Sequence, residues 1–448
     1  MKRYRVRSSG ALRGEVRVPG DKSIGHRALL FAGLADGDST LHGLGGGLDN
    51  RATAHAMRAL GAGVEVDGTS ARVRGAGLTR LRMPPGHIDC GNSGTTMRLL
   101  AGLLVAQPFG CRLIGDASLS RRPMGRVVAP LRARGGHIAG VSGSKPDEVY
   151  PPLSIAPLVE GETLRGLEYD MPVASAQVKT ALLLSGLYAR GPTALREPVL
   201  SRDHTERMLL ALGVPLETAG TMTVLDPAGW DRRWPGFDWE VPGDLSSAAF
   251  VIAAALLVPG SEVALRSVGV NPTRTGILDV LRACGARVGV VPKGEGAGHE
   301  PTADLEVTHQ GLRGARVGGE LLVRMIDEVP ALCALAAGIR GRTEIRDAAE
   351  LRVKESDRLA IMAGVLQAFG VPCEELDDGM VIEGGGALQG AHVRSHGDHR
   401  VAMAAAILGL AAEGETVIDD VECVDTSFPA FPQMLRDLGG RLDEEEGV

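Results

Sequence analysis

A glycine followed by two variable residues and an apolar one closes a helix-like run six times in this chain. The copies are Gly61-Ala-Gly-Val64, Gly135-Gly-His-Ile138, Gly213-Val-Pro-Leu216, Gly285-Ala-Arg-Val288, Gly370-Val-Pro-Cys373 and Gly439-Gly-Arg-Leu442. Their mean spacing is about 76 residues, too long for the common solenoid repeats. Glycine fits just past a helix end because it takes the left-handed C′ conformation without strain, and the apolar residue opens the next strand. A second marker keeps step with the first: polar residues at Asp21, Asn92, Ser175, Asp244, Asp327 and Asp398 open runs of small and apolar residues. Runs such as AAFVIAAALLV are apolar on every side, which predicts helices buried all round, with the polar residues as N-caps. Each unit then reads strand, buried helix, strand, second helix ending in Gly, further strands. The chain uses that α/β unit of about 75 residues six times.

A single hydrophobic core stops growing at about 250–300 residues, so 448 residues in six units imply two domains of three units. The boundary is expected near residue 240, within a segment, 229–243, that holds all three tryptophans and reads either as the linker between units three and four or as a loop packed on the surface. A ligand is expected in the cleft between domains. Lys and Arg number 48 against 55 Asp and Glu, a net charge of −7 that argues against a general nucleic-acid binder. The longest apolar run, Ala248 to Val258, falls well short of the roughly 20 residues of a membrane helix. The start has no apolar signal region, and six scattered cysteines form no CxxC pair. These features predict a soluble cytoplasmic protein with reduced thiols, no membrane partner and no nucleic-acid partner.

The helix starts gather hydroxyls and cations: Asp21-Lys22-Ser23 with Arg27, Asn92-Ser93-Gly94, Ser175-Ala176-Gln177, Asp327-Glu328 and Asp398-His399-Arg400. Free N–H groups and about half a positive charge at each helix N-terminus make anion sites, so several converging starts point to a polyanionic small molecule. Lys22 and Arg27, a turn apart, are unfavourable there without an anion. Two or three cations surround a carboxylate in Arg352-Val-Lys354-Glu355-Ser-Asp-Arg358, which suits a proton carrier beside anionic substrate. Ser120-Arg121-Arg122 and Ser201-Arg202-Asp203-His204 are similar clusters. The sequence contains no GxxxxGK[ST] pattern. His392, His396 and His399 with Asp398 have metal-ligand types, but Gly397 breaks the helical spacing, so no metal site is expected.

The strings PGDKSIGHRALL, GNSGTTMRLL, RRPMG, ASAQVKTALLLSGL, SRDHTERM, LRVKESDRL and GDHRVAM, in this order from residue 19 to 403, resemble those of 5-enolpyruvylshikimate-3-phosphate synthases. The resemblance implies a two-domain inside-out α/β barrel of six βαβαββ units, three per domain, with the helices inside. It also implies that the first strand crosses back, giving domains of 21–240 and of 1–20 plus 241–448 with the active site between them. The implied reaction transfers the enolpyruvyl group of phosphoenolpyruvate to the 5-hydroxyl of shikimate 3-phosphate and releases phosphate, a step of the shikimate pathway to chorismate and the aromatic amino acids. The expected partners are these two small molecules, and the expected state is a monomer without cofactor or metal.

By motif position, the resemblance implies that Ser23, Arg27, Ser175, Ala176, Gln177 and Lys354 hold shikimate 3-phosphate, with Ser201 and Arg202 at its phosphate. Asn92, Gly94, Arg122, Gln177, Arg358 and Arg400 would hold phosphoenolpyruvate, for which guanidinium forks are suited. Lys22 would touch both substrates and is the third catalytic residue, sharing the proton transfers with Asp327 and Glu355. Asp327 would bind the acceptor and take its 5-hydroxyl proton, and Glu355 would give a proton to the methylene carbon. Glycine at 94 further implies sensitivity to glyphosate, since insensitive members tend to carry alanine there. Two departures suggest a divergent branch: Thr426 stands where many members have a lysine, and the tyrosine that some members place after the serine of the phosphate loop is absent, with His204 in that region. Two other readings remain at this point. One is the sister UDP-N-acetylglucosamine enolpyruvyl transferase, which uses a loop cysteine where Cys111 here lies in a strand-like run. The other is a non-catalytic anion-binding repeat protein.

Overall fold

The structure is a computed structural model that describes residues 2–144 and 148–446. It divides into two compact units, Lys22–Val241 with Glu295–Glu300, and Met1–Asp21 with Pro242–Gly294 and Pro301–Val448. The six repeated glycines all adopt positive φ, between 76° and 102°, as a left-handed helix terminator requires. Each follows a second helix of its repeat, for example Leu48–Ala59 before Gly61 and Gly276–Ala283 before Gly285.

The predicted inner helices are Lys22–Leu34, Gly94–Leu104 and Ala176–Gly186 in one unit, and Leu245–Leu257, Val329–Gly338 and His399–Ala411 in the other. Every residue of Leu245–Leu257 is buried. Close approach depends on small residues: a Cβ on Gly102 would lie 2.2 Å from the carbonyl oxygen of Ala181 on the neighbouring inner helix. Among the described residues the strands form six four-stranded sheets, each with one edge strand parallel to its neighbour. In the sheet ordered Arg165–Asp170, Arg190–Arg196, Met222–Leu225, Leu216–Ala219, the other two pairings are antiparallel. This is the βαβαββ unit, with its helix inside. Among the described residues no helix is long and apolar enough to cross a membrane. All six cysteines are free thiols.

The chain crosses between units at residues 21/22 and 241/242 and again on either side of residues 295–300, and the first two crossings place three strands. Lys2–Arg7 sits between Glu415–Asp419 and Arg441–Glu446, and Arg13–Val16 lies beside Glu262–Gly269. In return Asp238–Glu240 pairs with Asp38–His42, supplying the parallel edge that the first repeat lacks. The tryptophan segment is therefore built into the Lys22–Val241 unit and is not a linker. Trp234 is 1% exposed, packs edge-on against Phe31, donates Nε1–H to its carbonyl at 3.1 Å, and carries Trp230 stacked above it. Residues 295–300 also belong to this unit, a departure from the expected span of 241–448.

The caps follow expectation at Ser175, Asp244 and Asp398. Two differ. Ser93, not Asn92, accepts the Thr96 N–H, because the Asn92 side chain is engaged by Arg122 and Asp116. Asp327 lies within a 3₁₀ turn, Ile326–Glu328, so the N-cap position of the inner helix falls to Glu328, with Pro330 in the first turn.

Candidate active site

In the Lys22–Val241 unit the cations gather at three helix starts. Lys22 Nζ pairs with Asp49 Oδ2 at 2.9 Å, while Asn50 donates to the Lys22 carbonyl at 3.0 Å. The charge expected to need an external anion thus has an internal partner on the Leu48–Ala59 helix. Arg27 is buried and donates to the Ser23 carbonyl, Thr180 Oγ1 and Thr205 Oγ1 at 2.7–2.8 Å, so it ties the helices Lys22–Leu34, Ala176–Gly186 and His204–Ala211 together. Gln177 is fixed from both ends: Arg98 donates to its Oε1 at 2.7 Å, and its Nε2 donates to Thr95 Oγ1 at 2.9 Å. Arg98, the one cation of the Gly94–Leu104 helix, joins this cluster although the sequence motifs assign it no role. Its isolation in an otherwise apolar run is the available signal. Arg122 meets Asn92 Oδ1 at 2.5 Å and Ser118 Oγ at 3.3 Å, and Asp116 holds Asn92 in turn at 2.7 Å. The structure brings Asn92, Gly94, Arg98, Arg122 and Gln177 together: a Cβ on Gly94 would lie 2.8 Å from Arg98 Nη1 and 3.5 Å from Arg122 Nη1.

Ser201 and Arg202 precede the His204–Ala211 helix. Ser201 is 6% exposed, and its Oγ has no hydrogen-bond partner among the described residues. A buried hydroxyl left that way costs about 1–3 kcal/mol, a deficit that a bound oxyanion would remove. Asp203, His204 and Glu300 bring ligand-type atoms within 4.8 Å of one another. Asp203 is paired with Arg207 at 3.0 Å and His204 Nδ1 with Glu300 Oε1 at 2.6 Å, so internal contacts hold this set.

In the other unit one arginine organises the site. Arg358, 1% exposed, contacts Glu355 Oε2 at 2.6 Å, Asp398 Oδ2 at 2.8 Å and Asp327 Oδ1 at 3.6 Å. Arg400 donates to the Asp327 carbonyl at 2.7 Å, and Asp398 accepts the Arg400 N–H at 2.9 Å. Asp398 is thus cap and ion-pair partner together, and His392 turns away to Asp419 at 2.7 Å. The charge run is partly self-paired, through Arg352 to Asp357 and Glu375 at 2.8 Å each. Lys354 forms no ion pair or hydrogen bond among the described residues.

Beneath these groups Arg274 reaches Asp21, Asp244 and Glu328 at 3.4–3.6 Å, gripping the neighbour in sequence of both Lys22 and Asp327. Burial, then the charge of Asp21, pushes the Asp244 carboxyl up to about 6. A raised carboxyl binds a proton in the folded protein that the unfolded chain has already released, so this group makes stability fall as pH rises from about 4 to about 6. Asp244→Asn keeps a capping side chain and should remove that decline. The wild-type melting temperature relative to the variant is expected to drop between pH 4.5 and 6 and to hold level from 7 to 8.

The profile of EPSP synthase (3-phosphoshikimate 1-carboxyvinyltransferase) matches residues 6–435. The chain belongs to this family. The 3-phosphoshikimate 1-carboxyvinyltransferase of Geobacter sulfurreducens is 51% identical over 426 residues, covering 95% of this chain and 96% of that protein. Its counterpart in Citrifermentans bemidjiense is 48% identical over 97% of this chain and 99% of its own. The EPSP synthase structure from Acinetobacter baumannii superposes with a TM-score of 0.87 at 39% identity, over the full length of both chains. Family membership gives the two clusters a common context: one holds the motif residues of the first three repeats, the other those of the last three.

Proposed function

We propose that the protein transfers the enolpyruvyl group of phosphoenolpyruvate to the 5-hydroxyl of shikimate 3-phosphate, and that both clusters act on this substrate pair. The convergence of Asp327 and Glu355 on Arg358 carries the assignment of roles, because it sets two carboxylates and a planar cation at one place. Asp327 takes the proton of the 5-hydroxyl as its oxygen attacks C2 of phosphoenolpyruvate. Glu355 delivers a proton to the methylene carbon, which becomes a methyl group in a tetrahedral intermediate. Loss of a methyl proton then expels phosphate with its bridging oxygen and restores the double bond. Arg122, Arg358, Arg400 and Lys22 meet the donor's charges, with Asn92 and Gly94 at the same helix start. Ser23, Arg27, Ser175, Ala176, Gln177 and Lys354 hold the acceptor ring and carboxylate, and Ser201 with Arg202 its phosphate. The reading gives no role to a metal or cofactor, and it takes the working form to be a cytoplasmic monomer.

The sister activity is disfavoured by Cys111, which lies in the strand Cys111–Ile114; burial pushes its thiol up to about 11, the wrong direction for an acid–base thiol. Side-by-side assays with phosphoenolpyruvate should show phosphate release with shikimate 3-phosphate and none with UDP-N-acetylglucosamine. Release with the nucleotide sugar alone would reverse the reading.

Glyphosate is expected to inhibit at the phosphoenolpyruvate site. In Gly94→Ala the new methyl meets the Arg98 guanidinium first, at 2.8 Å, so the change acts by pushing Arg98 and its partner Gln177. The longer ligand should suffer more, and the ratio of glyphosate inhibition constant to phosphoenolpyruvate KM should rise at least about tenfold. An unchanged ratio would refute the coupling.

A further inference from the structure

The first turn of the His204–Ala211 helix is fixed at three successive residues. His204 Nδ1 meets Glu300 Oε1 at 2.6 Å, with the side chains 1% and 0% exposed. Thr205 Oγ1 accepts from Arg27 Nε at 2.7 Å and lies 2.6 Å from Thr180 Oγ1. Glu206 takes the buried Lys179 ammonium at 2.6 Å. Arg27, Lys179 and Thr180 are carried by inner helices of the same unit, whereas Glu300 is not.

Glu300 ends the hexapeptide 295–300, the tip of the connection between strands Val288–Glu295 and Pro301–Thr308. The tip belongs to the Lys22–Val241 unit although the chain on either side belongs to the other. It is seated closely: Ala297 is buried, and Gly298 has φ 60° with its missing Cβ 2.8 Å from Met208 Cα. Only glycine accepts both that backbone and that contact. Just before the anchored turn stand Ser201, whose buried Oγ has no partner among the described residues, and Arg202.

We propose that the Glu295–Glu300 tip, through the buried Glu300–His204 pair, positions Ser201 and Arg202 for the acceptor's phosphate. The inference rests on the reading of those two residues as phosphate holders. His204 and Glu300 are positioning residues and touch no substrate. A buried carboxylate–imidazole pair has no water to replace a lost partner, so loosening it shifts the turn. Hydrogen bonds to an oxyanion weaken steeply with small errors in distance and angle.

The test uses the full-length protein and two probes, shikimate 3-phosphate and shikimate, which differ only in the phosphate. Calorimetric affinities are compared for wild type, Ser201→Ala, Glu300→Gln and Gly298→Ala. Both tip variants should weaken shikimate 3-phosphate at least about tenfold and shikimate less than about twofold, with phosphoenolpyruvate KM unchanged. Equal losses for both probes, no loss in either variant, or failure of both variants to fold would overturn the inference. If Ser201→Ala also fails to separate the probes, the phosphate-holding reading fails with it. If Ser201→Ala separates them and the tip variants do not, the positioning inference alone is wrong.

Discussion

Asp327→Asn and Glu355→Gln are each expected to lower kcat by at least about 10²-fold while shikimate 3-phosphate still binds. Both changes keep the size of the side chain and a hydrogen-bonding oxygen, but neither amide exchanges a proton at the required step. Both also leave Arg358 in place with Asp398 at 2.8 Å, so the site is not dismantled. Rapid-quench kinetics with both substrates measures the effect. Near-normal turnover in one variant would remove that carboxylate from the chemistry.

Arg358 should respond differently to two substitutions. In Arg358→Met three carboxylates lose their shared cation, among them Asp398, which is 0% exposed. Breaking a buried pair from one side costs about 3–5 kcal/mol, so this variant should unfold at markedly lower denaturant concentration. Arg358→Lys keeps the charge but not the planar fork. It should hold most of the stability while phosphoenolpyruvate KM rises at least about tenfold. Equal stability losses in the two variants would mean that geometry, rather than charge, dominates the cluster.

Much of the fold can be read because the repeats rest on local physics. A C′ glycine needs only its own positive φ, and a helix buried all round declares itself by an unbroken apolar run. The strand exchange cannot be read so. Arg13–Val16 and Asp238–Glu240 are short, carry charged residues and owe their strand state to partners more than 190 positions away. The site divides along the same line. Lys22, Asp327, Glu355 and the arginines sit in motifs of recognisable composition. Asp49, Arg98, Arg274 and Glu300 act by pairing with residues remote in sequence, and each looks alone like an ordinary charge on a helix or loop. Asn92 reads as a cap from sequence because Asn and Ser cap about equally well; the Arg122–Asn92–Asp116 chain decides between them.

The central claim is that the donor loses its phosphate by cleavage of the carbon–oxygen bond as the enolpyruvyl group moves to the acceptor. Phosphoenolpyruvate labelled with heavy oxygen at the bridging position tests this directly. With shikimate 3-phosphate present, the label should leave with one phosphate per new enol ether, and neither product should form without the acceptor. Label retained in a pyruvate product, or phosphate released without shikimate 3-phosphate, would contradict the account.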